Sequence, residues 1–215
     1  MKLHWRSGKM TLFNEITEDL LRIQAVQINT KEYFTWTSGL KSPIYCDNRL
    51  TISAPSVRKK ITQAFIKKID AMDEKPDVIA GCATAGIPHA AWLADALDLP
   101  LVYVRASAKG HGKQNQIEGD IQENQRVIVI EDLISTGSSA IQAAKALEEV
   151  GASVLGVLAI FTYGLTKADQ GFHEADLSHE TITNYERLTN LLVEKNHITN
   201  EEQETLMRWR NTIDA

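Results

Sequence analysis

The chain has 215 residues, 43% of them hydrophobic, with a formal charge of −5 and two cysteines. That length suits one domain with a small appendage and is ample for a core, while the acidic balance argues against a general nucleic-acid binder. Cys46 and Cys82 are too few for a disulfide framework, and no signal peptide or membrane-length apolar run is visible, so a reduced, cytoplasmic protein is expected.

Residues 1–9 lack periodicity and precede a second methionine, Met10. They read as an expression remnant or an over-extended start, with residues 10–215 as a single domain. From Leu12 onward, the spacing of Phe13, Ile16, Leu20, Ile23 and Val26 predicts an amphipathic helix. Between Tyr33 and Arg49, aromatic and β-branched residues flank the turn Ser38-Gly-Leu-Lys-Ser-Pro43, which predicts a hairpin of short strands. Such a hairpin serves either as a hood stacking on a flat ligand or as a packed edge. Pro55 to Met72 reads as a helix opened by proline, with Ile61, Ala64, Phe65 and Ile69 inward.

Asp77-Val-Ile-Ala-Gly81 predicts a short buried strand, followed by the small-residue turn Cys82 to Pro88 and a helix from His89 to Leu97. The turn suits either an anion or close helix–sheet packing, and His89, on a mostly apolar helix, is expected to be packed. Leu101 to Val104 is a third strand. The loop from Arg105 to Gly119 is glycine-containing, poor in apolar residues and long for an ordinary connection. Arg105, Lys109, His111 and Lys113 make it locally cationic. A cationic lid would neutralise a diphosphate leaving group and exclude water, whereas the plain alternative is a solvated loop.

Val127 to Ile130 is an unbroken β-branched run, as in a strand buried on both faces, and it ends in two carboxylates, Glu131 and Asp132. The turn Ser135-Thr-Gly-Ser-Ser139 and a helix from Ala140 to Glu149 follow. Free backbone N–H groups at such a turn, together with its hydroxyls, suit a phosphate, and Gly137 permits close approach. The acids would then face sugar hydroxyls or a shared magnesium ion, which implies a sugar-phosphate ligand. The plain alternative is a buried strand whose solvated end carries two acids. Neither G-x-x-x-x-G-K-[ST] nor G-x-G-x-x-G is present. Val154 to Phe161 is a core strand, and Thr162 to Ala215 is more polar, with helices near Asn184–Glu194 and Glu201–Trp209. Strands alternating with helices over 77–161 imply a parallel sheet. His173, His179 and His197 lack metal-ligand spacing.

The strand, acid pair and Thr-Gly turn resemble the signature of type I phosphoribosyltransferases for 5-phospho-α-D-ribose 1-diphosphate (PRPP). Together with the Ser38–Pro43 turn, Ala83-Thr-Ala-Gly-Ile-Pro88, and Arg105 with Lys109-Gly-His-Gly112, the motifs resemble the orotate phosphoribosyltransferase family, closest to its Gram-positive bacterial form. The resemblance implies an α/β type I phosphoribosyltransferase fold: a central, mostly parallel sheet flanked by helices, with a small hood built largely from the N-terminal segment. The hood would span about 28–50, the core about 55–165 and a C-terminal helical segment about 180–213.

The activity it implies is magnesium-dependent transfer of phosphoribose from PRPP to N1 of orotate in pyrimidine (UMP) biosynthesis. PRPP would be held by Arg105, Lys109, His111, Glu131, Asp132, Leu133, Ile134, Ser135, Thr136, Gly137, Ser138, Ser139, Thr84, Ala85 and Gly86. Lys109, His111, Asp132 and Glu131 would be catalytic, with Mg2+ held mainly by substrate near the two acids. Orotate would meet Ser135, Lys41 and Tyr45. The lid would complete the partner's site in a homodimer. Three positions depart from the family pattern: Ala106 replaces a second lid lysine, Thr35-Trp-Thr37 replaces a Thr-Leu-Lys, and Phe161-Thr-Tyr-Gly164 replaces an Asp-Arg pair that helps hold orotate, which leaves the partner of the orotate carboxylate open, with Arg49 one candidate. A PRPP-sensing regulator and a purine-base phosphoribosyltransferase are the competing readings.

Overall fold

A computed structural model of the chain describes residues 11–35, 39–107 and 116–214. Helix α1 (Leu12–Arg22) begins where Thr11 Oγ1 accepts the N–H of Asn14 at 3.3 Å, and it buries Ile16 and Leu20. It stops earlier than its apolar spacing suggests. Gln24 takes a positive φ of 59°, and Val26 opens strand β1 (Val26–Ile28) instead of extending the helix. Val26 is buried in either arrangement, so burial periodicity could not separate them.

The expected hairpin forms from β2 (Phe34–Thr35) and β3 (Lys41–Ser42), which pair antiparallel. Strand β4 (Ile44–Cys46) then pairs antiparallel with β1. A 3₁₀ turn, Asn48–Ser53, leads into α2 (Pro55–Asp70), whose Val57, Ile61, Ala64, Phe65 and Ile69 face the core.

The main sheet has six strands in the order β10-β9-β8-β5-β6-β7. Strands β5 (Val78–Cys82), β6 (Leu101–Val104), β8 (Arg126–Ile134), β9 (Ser153–Thr162) and β10 (His179–Asn184) are parallel to their neighbours. The edge strand β7 (Ile117–Glu118) is antiparallel to β6, inside what the sequence suggested was all loop. Helices α3 (Gly86–Leu97) and α4 (Ser138–Glu149) each begin two or three residues earlier than expected, so they start inside their turns. Two further elements, α5 (Thr166–Glu174) and β10, lie in the stretch read only as polar, before α6 (Tyr185–Glu194) and α7 (Asn200–Asp214).

Alternate residues of β8 feed separate cores. Ile128 and Ile130 pack with α1, α2, α3 and α6, and Val127 and Val129 with α4 and α5. Burial on both faces follows from that sandwich, as expected for a parallel sheet. Among the described residues, no helix is long and apolar enough to cross a membrane.

Candidate active site

Because β5, β6, β8 and β9 run in one direction, the segments that follow Cys82, Val104, Ile134 and Thr162 all emerge at one sheet edge. Ligands of open α/β sheets bind at that edge. A narrow cavity of about 30 Å³ there is lined by Ala83, Arg105 and Ser139, one residue from each of three predicted segments. A larger cavity of about 530 Å³ lies between α1 and α6, away from this edge and from every predicted site residue.

The turn after β8 carries Ser135, Thr136, Gly137, Ser138 and Ser139 onto the first turn of α4. Gly137 has φ 79°, and a Cβ there would come within 2.7 Å of Phe172. Backbone conformation and packing therefore both demand glycine. No side chain caps α4, so the first N–H groups of a 12-residue helix point outward beside the exposed hydroxyls of Thr136 and Ser138. Across the edge, Thr84, Ala85 and Gly86 form the turn into α3, and the Ala83–Thr84 peptide is cis. A Cβ at Gly86 would collide with the Ile130 carbonyl oxygen, so α3 lies directly on β8.

Strand β8 does not end at the acids. It runs through Glu131, Asp132 and Leu133 to Ile134, with Glu131 in register with Ala159. The pairing of β9 continues beyond the β-branched run and carries two weak strand formers with it. Glu131 is only 6% exposed, and its Oε1 accepts the N–H of Asp132 at 2.9 Å. Burial and then the neighbouring Asp132 push the Glu131 carboxyl well above the usual carboxylate range, and burial raises Asp132 also. This site can therefore accept hydrogen bonds from hydroxyls, or a cation, and gains by doing so.

A buried polar chain supports the acids, and sequence reasoning did not anticipate it. Asn48 Nδ2 donates to the Asp132 carbonyl at 2.7 Å. Thr51 Oγ1 donates to the Asn48 carbonyl at 2.5 Å and lies 3.1 Å from His89 Nε2. With the Thr51 hydrogen committed, His89 must donate through Nε2, which fixes its tautomer. Burial lowers the His89 pKa to about 4, so the ring is neutral at neutral pH. All three side chains are at most 1% exposed. His89 is thus packed, as expected, and also links α3 to the acidic strand.

At the hood, Lys41 Nζ donates to Thr35 Oγ1 at 2.8 Å, and Tyr45 is 39% exposed beside Phe34, with ring centroids 5.9 Å apart. Arg49 is clamped by Asp47 through bonds of 2.6 and 2.9 Å. Tyr163, on the segment that departs from the family pattern, is 4% exposed with its ring edge-on to Phe161, and burial raises its hydroxyl pKa. The base of the cationic loop is closed by Arg105 N–H to the Gln116 carbonyl at 2.8 Å and Gln116 Nε2 to the Arg105 carbonyl at 2.9 Å, while Arg105 pairs with Glu118 at 3.3 Å. Lys109, His111, Lys113 and Ser38 lie outside the described residues. Among the described residues, no group of three or more His, Cys, Asp or Glu side chains is placed to hold a metal.

Comparison with known proteins adds a separate line of support. The phosphoribosyl transferase domain family matches residues 50–186. The chain is 57% identical over 199 residues to orotate phosphoribosyltransferase of Oceanobacillus iheyensis, covering 93% of this chain and 98% of that protein. It is 53% identical over 201 residues to the Listeria monocytogenes serotype 4b protein of the same name, covering 94% and 96%. The solved structure of orotate phosphoribosyltransferase from Aeropyrum pernix aligns with a TM-score of 0.71 at 26% identity, over 86% of this chain and 99% of that one. Leishmania donovani UMP synthase aligns with a TM-score of 0.77 at 25% identity, over 93% of this chain and 42% of that one.

Proposed function

The chain belongs to the orotate phosphoribosyltransferases, and from that premise we propose which of its residues carry phosphoribose from PRPP to N1 of orotate in pyrimidine biosynthesis. One observation carries the assignment: a glycine-pinned, uncapped helix start, an acid pair of buried Glu131 and half-buried Asp132, and a second small-residue turn share one sheet edge. A ribose bearing phosphate at one end and diphosphate at the other matches that spacing of donors and acceptors.

The 5′-phosphate binds the N–H groups and hydroxyls of Ser135 to Ser139, with Leu133 and Ile134 shaping the approach. Glu131 and Asp132 accept hydrogen bonds from the ribose 2′- and 3′-hydroxyls. The Thr84-Ala85-Gly86 turn approaches the diphosphate, and Arg105, Lys109 and His111 neutralise it as it leaves. The C1–O bond breaks with its electron pair going to diphosphate, the bond from orotate N1 to C1 forms, and the N1 proton leaves to water or to the departing diphosphate. The residues thus position the reactants and stabilise leaving-group charge, and no covalent enzyme intermediate is required. Orotate lies under the hood against Lys41 and Tyr45, with Ser135 within reach.

Two carboxylates with no third His, Cys, Asp or Glu grouped with them among the described residues suit magnesium, which keeps waters and binds through one or two carboxylates plus substrate phosphates. Asp132 and Glu131 would hold it through substrate, and bound magnesium would supply charge neutralisation on the diphosphate. The protein works in the cytoplasm as a homodimer, with the 105–119 loop serving the partner's site. The sharing is testable. Mixed heterodimers of Lys109→Ala and Asp132→Asn should regain up to about a quarter of wild-type activity by random pairing, and no recovery in proven heterodimers would refute it. The acceptor assignment is tested by supplying PRPP with orotate, hypoxanthine or adenine; turnover with a purine but not with orotate would overturn it.

A further inference from the structure

Hood strands of two and three residues are too short to hold their own position, since an isolated hairpin is marginal in water. Their support comes from the far end of the chain. The Trp209 indole N–H donates to the Lys41 carbonyl at 3.0 Å, on strand β3 of the hood. Two turns earlier on the same face of α7, Glu202 accepts from Thr30 Oγ1 at 2.9 Å. The helix is itself tied to the sheet. The fully buried Tyr185 donates to the Leu206 carbonyl at 3.2 Å with its ring against Trp209, and Asp214 accepts the Thr166 N–H at 2.7 Å. The helix therefore spans from the hood to the segment just after β9.

Both partners in this contact lie outside residues 50–186, the stretch shared with phosphoribosyl transferase domains at large. The shared stretch holds every described residue assigned to PRPP, and the hood holds Lys41 and Tyr45. Helix α7 bonds to the hood through Trp209 and Glu202, and its bonds to the shared stretch fall on Tyr185 and Thr166, neither of which is assigned to PRPP.

We propose that α7 is a strut that fixes the hood's height over the acceptor base, with Trp209 as a positioning residue for orotate and not for PRPP. This rests on the reading above that orotate lies against the hood. The strut works through the Lys41 backbone, so the acceptor-facing side chains keep their chemistry and depend on α7 only for their position.

The test is steady-state kinetics on the protein carrying Trp209→Phe, which keeps an aromatic ring beside Tyr185 and removes the N–H together with the five-membered half of the indole. Thr30→Val cuts the second contact from the hood side. Lys41→Met and Tyr45→Leu probe the hood reading directly. Loss of one hydrogen bond predicts a KM for orotate raised roughly 3- to 10-fold in Trp209→Phe, with KM for PRPP and the melting temperature unchanged. Thr30→Val should shift the same constant in the same direction. An equal rise in both KM values, a fall in kcat alone, or no change in Trp209→Phe would overturn the strut. If Trp209→Phe is silent while Lys41→Met and Tyr45→Leu raise the orotate KM, the strut fails and the hood reading stands. If all are silent, the hood reading fails and the strut falls with it.

Discussion

The turn after β8, proposed as the ribose-phosphate cradle, and the hood, proposed to meet the base, are built from different materials. The cradle is the end of a nine-residue strand buried among neighbours on both sides, and the donors it offers are largely backbone N–H groups fixed by helix and turn. The hood is made of very short strands, and it exposes Leu40, Tyr45 and Leu50. A phosphate is the same in every PRPP-dependent reaction, so the core of the fold can hold it. The base differs between reactions, and the part that meets it is a small attachment that can change without refolding the sheet.

The largest expected effect concerns neither region alone but the leaving group between them. Lys109→Ala should lower kcat by about 100-fold or more, the usual scale for losing a preorganised charge partner, while binding of the nucleotide product changes far less. Equal losses in both would remove its assignment to diphosphate. Within the cradle, Asn48→Ala leaves the Asp132 carbonyl unpaired, at a cost of about 1–3 kcal/mol. Part of that should appear as lower thermal stability, and part as a KM for PRPP raised about tenfold at unchanged KM for orotate. A rise confined to orotate would mean that the polar chain serves the hood.

The acid pair predicts a pH signature. The folded Glu131 carboxyl holds its proton above the ordinary glutamate value of 4.5, so between that value and its raised pKa the folded protein binds more protons than the unfolded chain. Stability from this group is therefore present at low pH and declines as pH rises through that window. PRPP acts in the opposite sense, because ribose hydroxyls favour the carboxylate. Affinity for PRPP should weaken as pH falls through the same window, and both slopes should flatten in Glu131→Gln when measured by thermal melts and by KM against pH. A wild-type slope retained in that variant would exclude Glu131 as its source. The smallest effect belongs to the hood: Tyr45→Leu should raise the KM for orotate roughly 2- to 10-fold, the range for losing one aromatic contact, with PRPP unaffected.

How much of this was legible in sequence depended on the range of the contacts involved. The β-branched run of β8, the glycine-containing turn after it and the proline-opened α2 are local signals, and the structure has each of them. The extension of β8 through Glu131 and Asp132 was hidden, because the partner strand β9 overrides the poor strand propensity of acids. Strand β7 is two residues in a polar loop, too short to show a period. Strand β10, His179-Glu-Thr-Ile-Thr-Asn184, mixes polar residues with a single isoleucine, as an edge strand can. The chain from His89 through Thr51 and Asn48 to Asp132 joins residues up to 84 apart, and no local pattern announces such pairing. The one available hint was His89 itself, a polar ring on a helix face that otherwise reads as core. The placement of Trp209 against Lys41, 168 positions away, had no hint at all.

The clamp between Arg105 and Gln116 has a consequence for how such an enzyme can change over time. Those two residues exchange a main-chain bond and a side-chain bond, and Val104 pairs with Ile117 directly beneath them. The sheet therefore closes on itself before the intervening segment begins, and the length of that segment is a free variable. Closing a loop twice as long costs only about 0.6 kcal/mol. The stem behaves as a socket: segments of different length or charge can be exchanged there between relatives, and turnover altered, while the fold beneath is inherited intact.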